Sequence, residues 1–227
     1  LLIPLIFFLG VQVFKDKKIA LLSCLLFALS PWSIQLARMS LETNLATLLV
    51  VSGLCWFIYF VRSNSKKYLI SSALCFGASL YAYFSTRVFV PLLLLFLFIF
   101  YFKKLFKLKR EVFLFILILF ILSIPLLHLT LFNREAGWAR ASNVSFWNDP
   151  SFLGKINETR NRALDFQIPS ILVRLLYNRF TFFVYTLATN ITSQFRLNYL
   201  LLDGDPNPLY STPNIGIMTW AEPFLIT

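Results

Sequence analysis

Arg38 and Glu42 stand four positions apart in the segment SPWSIQLARMSLETN, residues 30–44. A guanidinium group can hold a phosphate with two hydrogen bonds, and a carboxylate can accept the proton of an attacking hydroxyl or bind a metal. The i, i+4 spacing predicts that both side chains lie on one face of a helix. A plain ion pair at the surface is the alternative interpretation.

Arg87 is a second candidate for phosphate binding. It lies in the segment SLYAYFSTRVFVP, residues 79–91, one or two turns after Tyr81 and Tyr83. Together with Arg38 it would suit an anionic headgroup. A single arginine at such a position can also extend its apolar stem and place its charge among lipid headgroups without a catalytic role. Both interpretations stay open.

A third group of polar residues follows an apolar run, in LLLDGDPNPLYSTPN, residues 200–214. Its members stand at alternate positions: Asp203, Asp205 and Asn207. This spacing resembles a calcium loop, but an EF-hand requires Gly at its sixth position and Glu at its twelfth. Pro208 and Asn214 occupy those positions. We therefore predict a rigid turn, in which Gly204 supplies conformational freedom and the carboxylates face water or a ligand.

The amino-acid composition indicates the fold class of the chain that carries these residues. Of 227 residues, 58% are hydrophobic and only 14% are charged, with 26 Phe, whereas a soluble domain is about 45–50% apolar. The apolar runs are continuous instead of alternating, which predicts an all-α, polytopic transmembrane bundle and not a β-barrel. The net charge is +11, but the basic residues separate apolar runs, so we expect no nucleic-acid partner.

The apolar runs define six predicted spans in a transmembrane bundle over 1–132, with a further span beginning in 215–227. The predicted spans are 1–14, 19–36, 41–61, 68–85, 88–102 and 111–132. A helix needs about 20 residues to cross roughly 30 Å of hydrocarbon. The run 88–102 is short by this measure.

Every second connection between the spans is basic. The connections KDKK (15–18), RSNSKK (62–67) and KKLFKLKR (103–110) carry three, three and five Lys or Arg. The positive-inside rule places them in the cytoplasm, and Arg38 and Arg87 on the opposite side. We therefore expect a multi-pass protein of the cell membrane, in contact with membrane lipids, whose site faces outside or the periplasm.

The same alternation predicts an external loop region over 133–214. Within it, polar residues recur every three or four positions along 170–202, which predicts a long amphipathic helix lying in the interface. The alternative is a seventh crossing over 180–195, which would put DGDPNP in the cytoplasm.

Four segments together resemble one family. They are ALSPWSIQLARMSLETNLATLLV (28–50), GASLYAYFSTRVFVPLLLL (77–95), GWARASNVSFWNDPSFL (137–153) and YLLLDGDPNPLYSTPNIGIMTWAEPFLI (199–226). In order and spacing they are similar to integral-membrane glycosyltransferases of the protein mannosyltransferase and aminoarabinose-transferase type, which have the GT-C fold and include glycosyltransferase family 39.

The resemblance implies an enzyme that moves a sugar from a polyprenyl-phosphate donor to a lipid, glycan or protein acceptor, with inversion, on the non-cytoplasmic side. Glu42 corresponds to the family's acidic residue at the start of a span. The principal catalytic aspartate is expected upstream of Leu1, so the isolated chain is expected to be inactive.

The other candidates take roles around that reaction. Arg38 and Arg87 would hold the donor phosphate, and Asp203, Asp205 and Asn207 would form a wall of the donor or acceptor site. No cofactor is required by the sequence, and assistance by a divalent metal stays open. The alternative function is a transporter, a flippase or a non-catalytic membrane subunit that handles lipid-linked sugars. The absence of charge at mid-depth in spans 41–61, 88–102 and 111–132 favours chemistry at the outer surface.

Overall fold

The chain folds into helices throughout the part that the structure describes. The computed structural model describes residues 1–39, 42–132, 150–165, 169–205 and 216–218. In these ranges the regular structure is helical and includes no strand. The predicted all-α, polytopic helical bundle is therefore confirmed. The chain divides into two compact units, Leu1–Leu127 with Leu201–Thr227, and His128–Leu200.

The first unit contains most of the apolar helices. They are α1 (Leu2–Phe14), α2 (Lys17–Leu29), α3 (Pro31–Met39), α4 (Glu42–Ser63), α5 (Lys66–Ala82), α6 (Thr86–Phe100), α7 (Phe102–Leu105) and α8 (Lys109–Phe132), whose last turns belong to the second unit. The second unit contains α9 (Pro150–Asp165), α10 (Ser170–Leu176) and α11 (Arg179–Gln194), followed by a π-helix, Asn198–Asp203, that crosses the boundary between the units.

A proline divides the predicted span 19–36 into two helices. Ser30 has an extended backbone, with φ −61° and ψ 124°, because the residue before a proline is disfavoured in the helical region. Pro31 begins α3, where its missing N–H costs no hydrogen bond. The axes of α2 and α3 differ by 58°, so the chain turns sharply at this point.

The core of the first unit is aromatic and tightly packed. Helix α4 packs on α5 and α1, α1 packs on α2, and α5 packs on α6. Phe57, Phe60, Phe76 and Phe115 are fully buried between the helices. Gly53 allows α4 to approach α5 closely, and its carbonyl oxygen accepts a 2.8 Å hydrogen bond from Ser72 Oγ. Small residues at helix crossings are typical of membrane bundles.

The outward faces of the helices are apolar, as lipid contact requires. Among the described residues, α4 and the 109–129 part of α8 are long and apolar enough to span a membrane. The count rises to four if the bent pairs α2 with α3 and α10 with α11 each form one span. Helices α1 and α6 are apolar but have only 13 and 15 residues. Length and composition therefore identify fewer spans than the six predicted.

The second unit is a small helical assembly. Helix α9 packs against α10 and α11 and buries Ile156, while Arg160 Nε donates a 2.6 Å hydrogen bond to the carbonyl oxygen of Tyr177. Tyr177 is the C-cap of α10, and Asn178 caps the beginning of α11 through a reciprocal capping box with Thr181. The axes of α10 and α11 differ by 46°. The range 170–202 is therefore three helical segments and not the single helix predicted.

Candidate functional site

A cavity of about 600 Å³ lies in the first unit, where the beginnings of α1 and α4 meet the end of α2 and helix α3. Its wall is mainly apolar and includes Phe27, Trp32 and Leu48. Three polar side chains interrupt that wall: Ser33, Asn44 and Thr47. An apolar cavity with a few polar groups is the usual form of a small-molecule or lipid site.

Two hydrogen bonds fix the shape of this corner. Asn44 Nδ2 donates to the carbonyl oxygen of Leu36 at 2.6 Å, which ties the first turn of α4 to α3. Ser33 Oγ donates to the carbonyl oxygen of Ser30 at 3.0 Å and also to that of Phe27. Phe27 loses its helical donor because Pro31, four residues on, has no N–H, and Ser33 supplies a donor in its place. The Ser30 carbonyl also accepts the backbone N–H of Ile34 at 3.1 Å.

Arg38 and Glu42 lie beside the cavity but on different helices. Arg38 is in the last turn of α3, and Glu42 is the first residue of α4. The prediction that they share one face of a single helix is therefore wrong. Both are exposed, and among the described residues no ion pair joins them. Neither lines the cavity, although Ala37 and Asn44 beside them in the sequence do.

The segment 216–218 returns to the same corner. Ser30 Oγ donates a 3.2 Å hydrogen bond to the carbonyl oxygen of Ile217, and Gly216 is buried. This contact connects the chain after the DGDPNP segment, 203–208, with the bend between α2 and α3. Sequence reasoning did not predict it, because it joins residues 187 positions apart.

Arg87 belongs to the corner between α5 and α6. Its Nε donates to the carbonyl oxygen of Leu80 at 3.3 Å, and its guanidinium carbon lies 5.2 Å from the centre of the Phe84 ring. Thr86 Oγ1 reinforces the same corner with a 2.6 Å hydrogen bond to the carbonyl oxygen of Ser79. Arg87 is half-buried, so its two terminal nitrogens remain the groups that could meet an anion.

Of the turn predicted to begin at Asp203, the structure describes residues 203–205. Asp203 is exposed at the end of the π-helix, and Asp205 is half-exposed. Between them Gly204 is buried and has φ 66°, a left-handed conformation that favours glycine. Asn207 lies outside the described residues.

A metal site does not emerge from the described part of the chain. In the ranges that the structure describes, no three His, Cys, Asp or Glu side chains gather in a group that could hold a metal ion.

The fold and the site define the class of protein. An apolar helical bundle that carries its charged candidates at helix ends, beside a largely apolar cavity, is typical of a membrane protein. A family model described as dolichyl-phosphate-mannose-protein mannosyltransferase matches residues 1–128. The chain belongs to this family, and its activity class is that of a membrane glycosyltransferase. No curated protein and no solved structure matches the chain.

The match confirms the family resemblance and also limits it. Segments 28–50 and 77–95, which contain Arg38, Glu42 and Arg87, lie inside the matched residues. Segments 137–153 and 199–226 lie outside them, so the family match does not extend to Asp203 or Asp205.

Sequence reasoning missed the polar residues of the cavity wall. Asn44 stands two residues after Glu42, and that proximity was the available signal. Ser33 and Thr47 gave no sequence signal of a role in the cavity, because hydroxyl groups in helices often bond only within their own helix. Thr47 Oγ1 does so, donating to the carbonyl oxygen of Thr43 at 2.8 Å.

Proposed function

We propose that the full-length protein transfers a sugar from a polyprenyl-phosphate-linked donor to a lipid, glycan or protein hydroxyl on the non-cytoplasmic side of the membrane. The family match over 1–128 carries the proposal, because that range contains the corner of α2, α3 and α4 and also Arg87. The family description itself names a lipid-phosphate sugar, dolichyl-phosphate-mannose.

The cavity at this corner supports a lipid-linked donor. Phe27, Trp32 and Leu48 offer an apolar wall for prenyl units, and Ser33 and Asn44 offer polar contacts. Burying an isoprenoid chain against such a wall is favourable, at roughly 25 cal/mol per Å² of apolar surface removed from water. We infer that the polar end of the donor points toward the end of α3, near Arg38.

The chemistry is a single displacement at the anomeric carbon. The acceptor oxygen attacks that carbon while Glu42 accepts the hydroxyl proton, and the bond from the carbon to the phosphate oxygen breaks. The phosphate leaves with the bonding electrons, and the positive charges of Arg38 and Arg87 stabilise it. One displacement inverts the anomeric configuration. Asp203, Asp205 and Asn207 are proposed as a wall of the donor or acceptor site.

Glu42 provides the sharpest test of the reaction. Transfer of radiolabelled sugar from a panel of polyprenyl-phosphate sugars is measured with the full-length protein, followed by Glu42→Gln with the active donor. We expect a loss of about 10²-fold or more, the usual contribution of a general base. Glu111→Gln is the matched control, because Glu111 pairs with Lys66 at 3.9 Å in a different connection. Full activity of Glu42→Gln would remove the role proposed for Glu42.

The same assay separates the transferase from the alternative function. If wild-type protein moves the donor across vesicle membranes without transferring its sugar to any acceptor offered, the transporter interpretation replaces this proposal. Transfer without such movement supports the enzyme.

The proposed orientation has its own measurement. In a variant without the three native cysteines, a single cysteine is placed at Ser65 or at Ser211, and intact cells are treated with a membrane-impermeant thiol reagent. We expect labelling at position 211 and protection at position 65. The opposite pattern would place the site in the cytoplasm.

A further inference from the structure

The connection between α6 and α8 presents an exposed surface of lysines and phenylalanines. We define it as the α7 surface, formed by Phe102, Lys103, Lys104, Phe106 and Lys107 around a shallow cavity of about 650 Å³. We propose that the α7 surface binds the headgroup of an anionic phospholipid. The proposal does not depend on the glycosyltransferase reaction.

The α7 surface is held firmly on the bundle. Leu105 is buried in the aromatic core, and Tyr101 and Leu108 pack against that core on either side of it. The Tyr101 ring lies 6.2 Å from the ring of Phe57. The anchoring side chains point inward, so the remaining side chains of this connection are directed outward.

The outward side chains include both apolar rings and positively charged groups. Phe102 and Phe106 are 60% and 57% exposed, and their ring centres lie 5.5 Å apart. Lys103 and Lys107 are exposed and Lys104 is half-buried. Lysines beside apolar side chains at a membrane surface meet lipid phosphates with their ammonium groups while their stems contact apolar surface.

The positive charge of this connection has no acidic partner in the part of the chain that the structure describes, although Lys109 Nζ lies 4.3 Å from the centre of the Phe106 ring. Residues 103–110 carry five Lys or Arg and no acid, and none of the five forms an ion pair with a described residue. The next acid, Glu111, is paired with Lys66. An anionic ligand would therefore complement an otherwise uncompensated charge.

The other two basic connections carry less uncompensated charge. In 62–67, Arg62 donates a hydrogen bond to the backbone carbonyl of Gln12, and Lys66 pairs with Glu111. In 15–18, Asp16 lies among the lysines and its side chain accepts a hydrogen bond from the Lys18 backbone N–H. The positive-inside rule predicts lysines in all three connections, so it does not explain why the uncompensated charge is greatest in 103–110. We therefore assign lipid binding to the α7 surface and not to the other two connections.

The apolar side of the α7 surface identifies the ligand as a lipid. Phe96 and Phe100, in the last two turns of α6, are 61% and 69% exposed and stack at 6.1 Å between ring centres. They extend the exposed phenylalanines toward the body of α6. A free phosphate would use only the lysines, whereas a phospholipid would use the lysines and these rings together.

Lipid retention measures the site directly. Full-length protein in neutral detergent is mixed with equal amounts of phosphatidylglycerol and phosphatidylcholine of matched chain length, and bound lipid is measured by native mass spectrometry. We expect about ten-fold preference for phosphatidylglycerol, falling to near parity in the triple variant K103Q/K104Q/K107Q. The variant K15Q/K17Q/K18Q loses the same charge and should keep the preference. The variant K103R/K104R/K107R retains the positive charge and should retain the preference for phosphatidylglycerol. It shows whether the α7 surface tolerates substitution of all three lysines.

Two results would overturn the proposal. One is an equal loss of preference in the two glutamine variants, which would mean that total charge and not the α7 surface attracts the lipid. The other is displacement of phosphatidylglycerol by millimolar inorganic phosphate, which would identify a site for soluble phosphate.

Discussion

Asn44 Nδ2 donates a 2.6 Å hydrogen bond to the carbonyl oxygen of Leu36, and this bond joins α4 to α3. Leu36 lies two residues before Arg38, and Asn44 lies two residues after Glu42. The bond therefore spans the point at which the two charged candidates separate onto different helices. We infer that it sets the position of Glu42 relative to the cavity that Asn44 and Leu36 both line.

Replacing Asn44 should disturb activity more than stability. Asn44→Ala removes one hydrogen bond, with an expected loss of about 1 kcal/mol in the free energy of unfolding. We expect sugar transfer to fall by roughly ten-fold or more, because small displacements of a catalytic group are costly. Initial transfer rates and thermal unfolding in detergent measure the two effects.

The control for Asn44 lies on the same cavity wall. Thr47→Val removes a hydroxyl that bonds within its own helix, to the carbonyl oxygen of Thr43. It should leave transfer within a few-fold of wild type. Equal losses in Asn44→Ala and Thr47→Val would mean that the wall as a whole matters and not the link between α3 and α4.

Two substitutions of Arg87 separate its charge from its contacts in the protein. Both Arg87→Lys and Arg87→Gln lose the Nε hydrogen bond to the carbonyl oxygen of Leu80, but only Arg87→Lys keeps the positive charge. If Arg87 stabilises the donor phosphate, Arg87→Gln should lower kcat/KM for the donor by about 10²-fold, and Arg87→Lys should recover part of that loss. Steady-state kinetics at varied donor concentration measure the difference. Identical losses in the two variants would assign Arg87 to the corner between α5 and α6.

Gly204 has a left-handed backbone conformation and lies in the proposed site wall, so a side chain at this position would introduce backbone strain there. At φ 66°, Gly204→Ala should cost about 1–2 kcal/mol of local stability and should lower transfer if the turn positions Asp205. Asn64→Ala is the control, because Asn64 also has a positive φ of 55° but belongs to a basic connection. Asn64→Ala should reduce thermal stability without reducing transfer. Normal transfer by Gly204→Ala would exclude the turn from the site.

The sequence predicted the helices well because apolar runs and basic connections are local signals. Predicted spans 41–61, 68–85 and 88–102 correspond to α4, α5 and α6 within a few residues at each end. The break after Ser30 was less clear, because Pro31 both ends one helix and begins the next. No Gly or Pro between Arg38 and Glu42 signals the division into α3 and α4. That division coincides with the contact between Asn44 and Leu36, which is tertiary and leaves no periodic trace.

The candidate site was predictable only in part for the same reason. Charged residues in an apolar sequence are conspicuous, so Arg38, Glu42 and Arg87 could be selected. Their position relative to a cavity could not be predicted, because the cavity wall is formed by residues from α1, α2, α3 and α4 that are far apart in the sequence. The contact from Ser30 to Ile217 is equally invisible to pattern analysis.

Close helix packing in the first unit can be tested at Gly53. A Cβ atom at position 53 would lie 3.0 Å from two ring atoms of Phe76, and Phe76 is fully buried, so the ring has little room to move. Gly53→Ala should therefore lower the free energy of unfolding by about 1–3 kcal/mol. Gly154→Ala is the control: nothing lies within 4 Å of the added methyl group, and alanine in a helix interior is favoured by about 0.5–1 kcal/mol. Thermal unfolding in detergent should show opposite shifts for the two variants, and equal shifts would mean that α4 and α5 are not in close contact at Gly53.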